Sequence, residues 1–184
     1  MKPVRALALA TLFASTLAGA AVLKTDPAKS SVAAVFKQMN VPVEATFKSF
    51  TARIDYDAAK PEASKATVDI QTASLDLGDA EYNREVAKKE WFNTAQFPIA
   101  SFVSTAIKPA GPGKLTVAGK LTIKGKTADV SFPLTVKAEA GKHLFEGQLP
   151  IRRLAFNIGE GEWKDTSMVA DEVVIKFRVS AGNN

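Results

Sequence analysis

The chain of 184 residues contains no cysteine and only one histidine, and both shortages exclude classes of function. Without cysteine there are no disulfide bonds, no thiolate metal sites and no cysteine nucleophile. A Ser-His-Asp triad or a histidine-rich metal site would have to be built around His143 alone. We therefore expect no enzyme activity, no cofactor and no metal, and we interpret His143 as an edge residue of a strand.

The N-terminus has the layout of a cleavable secretory signal peptide over residues 1–20. Two basic residues precede an apolar stretch over 6–18, which is shorter than the roughly 20 apolar residues needed to span a bilayer. Small residues form a cleavage site before Ala21, and no cysteine is available there for a lipid anchor. We expect export to the periplasm of a single mature domain over 21–184.

The mature sequence is long enough for a substantial core and only mildly basic. Removing the first 20 of 184 residues leaves 164, and a chain of about 150 residues buries roughly 68–70% of its unfolded surface. Removing two of the 24 Lys and Arg side chains leaves 22 against 19 acidic ones, a net charge of +3. Nucleic-acid binding requires a basic patch or stripe, so this balance argues against a nucleic-acid partner.

Alternating apolar and polar residues predict antiparallel strands with one face in water. The pattern is clearest in a long hairpin that turns at Lys124-Gly125-Lys126. Pro133 lies inside this hairpin and cannot donate to a ladder, so we expect a bulge or a locally unpaired stretch there. The predicted strands cover 31–36, 41–47, 50–57, 66–71, 99–105, 115–124, 127–139, 143–151 and 173–179.

The strand count depends on one segment. It is eight if 41–57 forms a single long bent strand, and nine if that segment breaks at Lys48-Ser49. Strands of this kind bury their apolar faces either by pairing two sheets or by closing one sheet into a barrel. A closed barrel also removes exposed strand edges.

One short helix is predicted after Gly78-Asp79, which supplies a cap, and it runs out at Trp91-Phe92. Glu85 and Lys89 have the spacing and order that favour an ion pair along its surface. The spacing of an EF-hand is absent, so we interpret the acidic residues of this region as helix-start chemistry rather than calcium ligands. They are Asp76, Asp79 and Glu81.

The segment around Trp163 contains charged residues with two interpretations each. Paired carboxylates can hydrolyse glycosides, but acidic residues in a Gly-rich loop are more often solvated turn residues. Those present are Glu160, Glu162 and Asp165. Of the pair Arg152-Arg153, either one arginine faces the exterior and the other forms an ion pair, or the pair binds a phosphate or diphosphate head group.

Short motifs spread over the mature chain carry a family resemblance. They include Asp26-Pro27-x-x-Ser30, Phe47-x-x-Phe50, Trp91-Phe92-Asn93, Phe97-Pro98-x-x-x-Phe102-x-Ser104, Arg153-x-x-Phe156-x-Ile158-Gly159 and Trp163-x-Asp165-Thr166. Together they resemble the YceI-like family. The resemblance implies an exported, lipocalin-like all-β barrel of about eight antiparallel strands, with one short helix at a barrel end. Many members carry a histidine after the first strand, where this chain has Gln38-Met39.

The resemblance also implies a function, namely a periplasmic carrier that holds a polyprenyl or quinone-type isoprenoid lipid in the barrel lumen. Transient contact with the inner membrane would accompany exchange of the lipid. The alternative is a packed β-domain without a ligand, which acts by surface contacts with a membrane or stress-response partner. The sequence carries no signal of its oligomeric state.

Strand phase indicates which residues face the interior. Small residues in the apolar phase indicate space inside the barrel, although alternating small and large residues also fit the taper of a packed one. These small residues are Ala45, Gly119, Ala128 and Gly147. Strand phase and motif position predict the ligand-binding residues as Phe36, Phe47, Phe50, Ile54, Phe102, Leu121, Phe132, Phe145, Phe156 and Phe177, with Trp91, Trp163 and Arg153 at the rim or head group.

Overall fold

The computed structural model describes residues 21–183, and the predicted signal peptide lies outside them. Short 3-10 turns occur at Pro27–Lys29, Pro61–Ala63, Thr72–Ser74, Arg153–Phe156 and Gly161–Lys164. The strands are β1 (Ala21–Thr25), β2 (Ser31–Gln38), β3 (Val41–Phe47), β4 (Phe50–Tyr56), β5 (Lys65–Gln71), β6 (Leu75–Asp76), β7 (Ile99–Pro109), β8 (Lys114–Ile123), β9 (Lys126–Glu139), β10 (Lys142–Arg152) and β11 (Val169–Gly182), and the helix is α1 (Ala80–Val86).

The strands close into an eight-stranded antiparallel barrel, as expected. β1 and β2 act as one bent strand and β3 and β4 as another, because β1 pairs with β4 while β2 pairs with β3. From there the order is β5, β7, β8, β9, β10 and β11. β11 then pairs with both β2 and β1 and closes the barrel. The bend between β3 and β4 falls at Lys48-Ser49, where both backbone N–H groups bond to Ser74 beside the barrel.

Two local details concern β1, which the sequence pattern missed, and Pro133. β1 was not predicted, because five residues are too few to show a period, and it is held by pairing with β4 and β11 on either side. Pro133 causes no bulge, since it stays in register opposite Thr116. The other expectation, a locally unpaired stretch, is confirmed, because Pro133 lies one residue beyond the last β9–β10 pair, which joins Leu134 and Gly147.

The helix starts where predicted but ends early. The carboxylate of Asp79 accepts the backbone N–H groups of Glu81 and Tyr82 at 2.7 and 3.1 Å, which confirms the cap. The α-helix ends at Val86, well before Trp91. The chain then leaves the helical path, so Glu85 pairs with Lys88 rather than with Lys89.

Neighbouring side chains occupy the space beside the small residues of the inward face. A Cβ atom at Gly119 would lie 2.5 Å from the ring of Phe102, and one at Gly147 would lie 2.4 Å from the ring of Phe177. Ala45 is fully buried within the cluster of residues that includes Phe47. The two glycines therefore leave no void of their own, because each provides the room that a phenylalanine ring occupies.

Candidate functional site

The barrel interior contains three chambers arranged in a row. The far chamber, about 120 Å³, is lined among others by Ile54, Tyr56, Leu115, Leu134, Phe145 and Val179. The middle chamber, about 80 Å³, is lined by Phe47, Ala100, Ile123 and Ile151. The helix-end chamber, about 130 Å³, is lined by Phe36, Gln38, Tyr82, Trp91, Trp163 and Val169.

Neighbouring chambers share walls. Phe102 and Leu121 line both the far and the middle chamber, and Phe92 and Ile158 line both the middle and the helix-end chamber. Along β11 the lining residues run from Val169 in the helix-end chamber to Val179 in the far chamber. At a rise of about 3.3 Å per residue, these ten steps span roughly 30 Å.

The far chamber has the most apolar walls. No charged side chain is among its lining residues, and burial raises the pKa of the Tyr56 phenol, which lines it. Three aromatic rings stand side by side in its wall, with centroids 5.5 Å apart for Phe102 and Phe132 and 5.3 Å apart for Phe132 and Phe177. Such a surface binds by apolar burial rather than by polar recognition.

The helix-end chamber combines aromatic rings with polar groups. The rings of Trp91 and Trp163 lie 5.3 Å apart with their planes tilted by 53°. Glu85 and Gln38 belong to the same lining. The indole Nε1 of Trp91 is buried and finds no hydrogen-bond partner within residues 21–183.

Arg153 is the buried cation of this site, with only 2% of its surface exposed. It lines the helix-end and middle chambers, and its guanidinium carbon lies 5.8 Å from the centroid of the Trp91 ring. Burial lowers its pKa, and the nearby charge of Asp171 partly offsets this. All five N–H donors of the guanidinium are used, and their acceptors are the backbone carbonyls of Ile158, Gly159, Trp163, Val169 and Ala170.

Both sequence interpretations of the arginine pair need correction at Arg153. Arg152 is the exposed arginine and it forms the ion pair, with Asp171 at 3.2 Å. Each N–H group of the Arg153 guanidinium donates to a backbone carbonyl, so no donor is free to bind a phosphate. It instead joins the turn that follows β10 to the beginning of β11.

Gly159 makes the position of Arg153 possible. A Cβ atom there would lie 2.1 Å from Nη1 of Arg153, and the backbone φ of +77° is one that glycine adopts without strain. The N–H groups of Gly159 and Glu160 both donate to the carbonyl of Glu90 at 2.8 Å. The glycine motif therefore connects the arginine to the segment that carries Trp91.

Lys124 forms a second anchor at the same end. Its side chain is buried, and Nζ donates to the carbonyls of Lys89 and Asn157 at 2.7 Å and to the carboxylate of Glu160 at 2.9 Å. The hydrogen bond from Lys124 is the main reason why the pKa of Glu160 is lowered. The turn between β8 and β9 is thereby fixed to both loops of the helix end. The sequence predicted only a hairpin turn here. It gave no indication that Lys124, which has a positive φ in the structure, would be buried.

Eleven of the thirteen predicted ligand-binding residues line at least one chamber, and their contact with a ligand stays a prediction. The exceptions are Phe50 and Phe156. Phe50 follows the bend after β3 and packs between the clusters around Ile54 and Phe47. Phe156 is 3% exposed and lies in the turn after β10 rather than on a strand, so it packs in the core outside the chambers.

Several of the residues considered for other chemistry have local structural partners. Asp165 accepts the backbone N–H of Ser167 at 2.9 Å, and its pKa is lowered by hydrogen bonding from the Ser167 side chain and, less strongly, from this N–H group. Asp76 bonds to Lys48 and Asn83, which keeps the pKa of its carboxyl far below the usual range. His143 packs its ring 5.1 Å from that of Tyr56, so it belongs to an aromatic cluster rather than standing alone at an edge.

Residues 21–183 lack two kinds of feature. There is no group of three or more His, Asp or Glu side chains placed to hold a metal ion in this part of the chain. None of its helices combines the length and the apolar character needed to cross a membrane.

Comparison with known proteins places this cavity in a family context. Residues 23–181 match the family model of the YceI-like domain. The crystal structure of BcnA from Burkholderia cenocepacia is 54% identical, with a TM-score of 0.84, and the match covers 85% of this chain and 99% of that one.

A further relative and a further solved structure are less similar. A UPF0312 protein of Pseudomonas putida strain W619 is 40% identical over 115 residues, which are 62% of this chain and 57% of the relative, so the match spans little more than half of that protein. A polyisoprenoid binding domain from Saccharophagus degradans, implicated in plant cell wall breakdown, has a TM-score of 0.68 and covers 90% of this chain and 99% of that one. At 15% identity this last likeness shows the fold alone.

Proposed function

Because the chain belongs to the family of YceI-like domains, we propose that it is a periplasmic carrier that holds an isoprenoid lipid in its barrel. The observation that carries the proposal is the row of three chambers. Their volumes of about 120, 80 and 130 Å³ each fall below the roughly 300 Å³ at which ordinary ligand pockets begin. A long, thin chain that passes through all three suits this shape better than a compact ligand does.

Apolar burial is sufficient to hold such a lipid without a covalent step. Each buried CH₂ group contributes about 0.8 kcal/mol, so about ten buried carbons contribute about 8 kcal/mol. This would correspond to a Kd of about 1 μM before the cost of ordering the chain is subtracted. The fold shared with the Saccharophagus degradans domain, which is described as polyisoprenoid binding, supports the same class of ligand. Either a polyprenyl lipid or an isoprenoid quinone fits this proposal.

Exposed apolar residues at the helix end support transient contact with the inner membrane. Met39 and Val41 are about 60% exposed at the turn between β2 and β3, with values of 61% and 62%. The N–H of Met39 donates to the carbonyl of Met168, which is also exposed. The chain neighbours of Met39 and Met168, namely Gln38 and Val169, line the helix-end chamber, so this exposed apolar turn borders the chamber. Tyr82 is exposed as well and belongs to the same lining.

Mass spectrometry of an organic extract tests the ligand. Protein purified gently from the periplasm of its native host should release a stoichiometric prenyl species, and the head group seen would decide between a quinone and a polyprenyl lipid. An extract free of lipid, together with no uptake of prenyl lipids by the purified protein, would favour the alternative of a surface-acting β-domain.

The site of export has its own test. We expect the mature protein to begin at Ala21 and to fractionate with the periplasm, because the predicted cleavage site ends at residue 20. N-terminal sequencing of the cell-associated protein measures this directly. An intact Met1 would contradict the predicted location. The proposed ligand would still be tested independently by the lipid extract.

A further inference from the structure

The Trp91 indole is a buried donor that lacks an acceptor. The residue is 9% exposed, its side chain lines the helix-end chamber, and Nε1 has no hydrogen-bond partner among the described residues. More than nine in ten buried polar groups in folded proteins are paired, because an unpaired one keeps its full desolvation cost. Because Trp91 lines the helix-end chamber, a polar group that enters the chamber can supply the acceptor that the protein does not.

Several backbone carbonyls near Trp91 already accept hydrogen bonds from other groups. Arg153 takes the carbonyls of five residues between 158 and 170. Lys124 takes the carbonyls of residues 89 and 157, and the carbonyl of Glu90 accepts two backbone N–H groups. Glu85 and Gln38 also line this chamber, but neither accepts a hydrogen bond from the Trp91 indole.

The charge at this end also favours an acceptor. Arg153 has no carboxylate among its hydrogen-bond partners, and its guanidinium lies 5.8 Å from the Trp91 ring centroid. Its positive charge attracts the negative end of an oxygen dipole. Because its donors are all in use, however, it offers no fork for an anionic phosphate. A neutral oxygen needs only the single donor that Trp91 provides.

We propose that the helix-end chamber binds the uncharged, oxygen-bearing head of the lipid, with a carbonyl or hydroxyl oxygen accepting the hydrogen bond from Nε1 of Trp91. The tail then extends through the middle chamber into the far chamber. A cavity of about 150 Å³ holds a benzene molecule, so the helix-end chamber at about 130 Å³ suits a head of roughly one ring or smaller. This inference rests on the proposed function, because it assigns the orientation of the same ligand.

The test compares ligands that share a tail and differ in the head. Delipidated protein is titrated by calorimetry with geranylgeraniol, a prenylated benzoquinone, geranylgeranyl diphosphate and the matching tetraprenyl hydrocarbon. Trp91→Phe keeps an aromatic ring and removes the N–H, while Trp163→Phe makes the same change in the neighbouring indole of the chamber. We expect Trp91→Phe to weaken binding of the alcohol or the quinone roughly 3- to 10-fold, as for the loss of one hydrogen bond, and to leave the hydrocarbon unchanged. Trp163→Phe should show no such selectivity.

The outcomes are separable. Equal losses for the hydrocarbon and the oxygen-bearing ligands, or no loss at all, would overturn the role of the N–H. Tighter binding of the diphosphate than of the alcohol and quinone by the wild type would overturn the uncharged head. If the wild type binds none of the four probes, the proposed function itself fails. A difference in affinity between the alcohol and the quinone shows whether the chamber prefers a hydroxyl or a carbonyl oxygen, and either preference supports the proposal.

A spectroscopic measurement checks the hydrogen bond directly. The chain has two tryptophans, so a ¹H–¹⁵N spectrum contains two indole resonances that the two variants assign. The Trp91 indole proton should move downfield when the alcohol or quinone binds and should stay closer to its free position with the hydrocarbon. The same downfield shift with all ligands, or with none, would contradict the proposal.

Discussion

Replacing two alanines by the same larger residue distinguishes ligand space from packed core. Ala66 on β5 lines the far chamber and pairs with Ile54, whereas Ala45 on β3 is fully buried and lines none of the three chambers within the described chain. Changing either to leucine adds three carbon atoms to the interior. The chemistry is therefore identical, and only the space around the side chain differs.

The expected magnitudes follow from that space. Ala45→Leu overpacks a filled cluster, which should lower the free energy of unfolding of the ligand-free protein by about 1–3 kcal/mol. Ala66→Leu places its carbons in a chamber of about 120 Å³, so the free energy of unfolding should stay within roughly 0.5 kcal/mol. The same carbons displace about three carbons of the lipid tail, which costs about 2.4 kcal/mol, or roughly a 50-fold loss of affinity.

Denaturant unfolding of delipidated protein and titration with a prenyl quinone measure the two quantities separately. The reasoning predicts opposite responses, with stability lost in Ala45→Leu and affinity lost in Ala66→Leu. If Ala66→Leu is destabilised as much as Ala45→Leu while its affinity stays at the wild-type level, the far chamber is not ligand space.

Three further changes probe the anchors and the lone imidazole. Gly159→Ala should lower the free energy of unfolding by about 2–5 kcal/mol, because it strains the backbone and displaces the Arg153 guanidinium from buried carbonyls. A denaturant melt measures this loss, and wild-type stability would refute the packing. Because the folded-state pKa of Glu160 lies below its usual 4.5, the stability from its pair with Lys124 is present above that pH and lost as the pH falls further. Glu160→Gln should therefore flatten the acid limb of stability against pH, and an unchanged limb would argue against the pair. His143→Ala should cost about 1 kcal/mol from lost ring contacts and leave lipid affinity unchanged, whereas a large loss of binding would revive a functional imidazole.

The walls of the barrel could be predicted from the sequence because each strand alone reports its buried face. Leu115, Val117, Leu121 and Ile123 follow period two in the sequence and are all buried in β8. The position of empty space could not be predicted in this way. Gly119 has the same phase, but whether a glycine leaves a void depends on the ring that faces it from the next strand.

The helix end was the least predictable part, because its structure also depends on contacts between separate parts of the chain. The role of Arg153 depends on carbonyls from five residues between 158 and 170, and their convergence is a property of loops without a period. The one available signal was the glycine at position 159, since a positive φ often marks a close approach of another group.

The helix end is held unevenly, and this bears on how a lipid can enter. Arg153 and Lys124 anchor the loops on one side through buried, charge-assisted hydrogen bonds, which are costly to break. By contrast, α1 contains no buried residue, and its Tyr82 stands exposed. Segments with few buried contacts open at low free energy, whereas strongly bonded ones open only with the rest of the fold. Any opening that admits the tail should therefore involve α1 and leave the Arg153 anchor and the Trp91 indole in place.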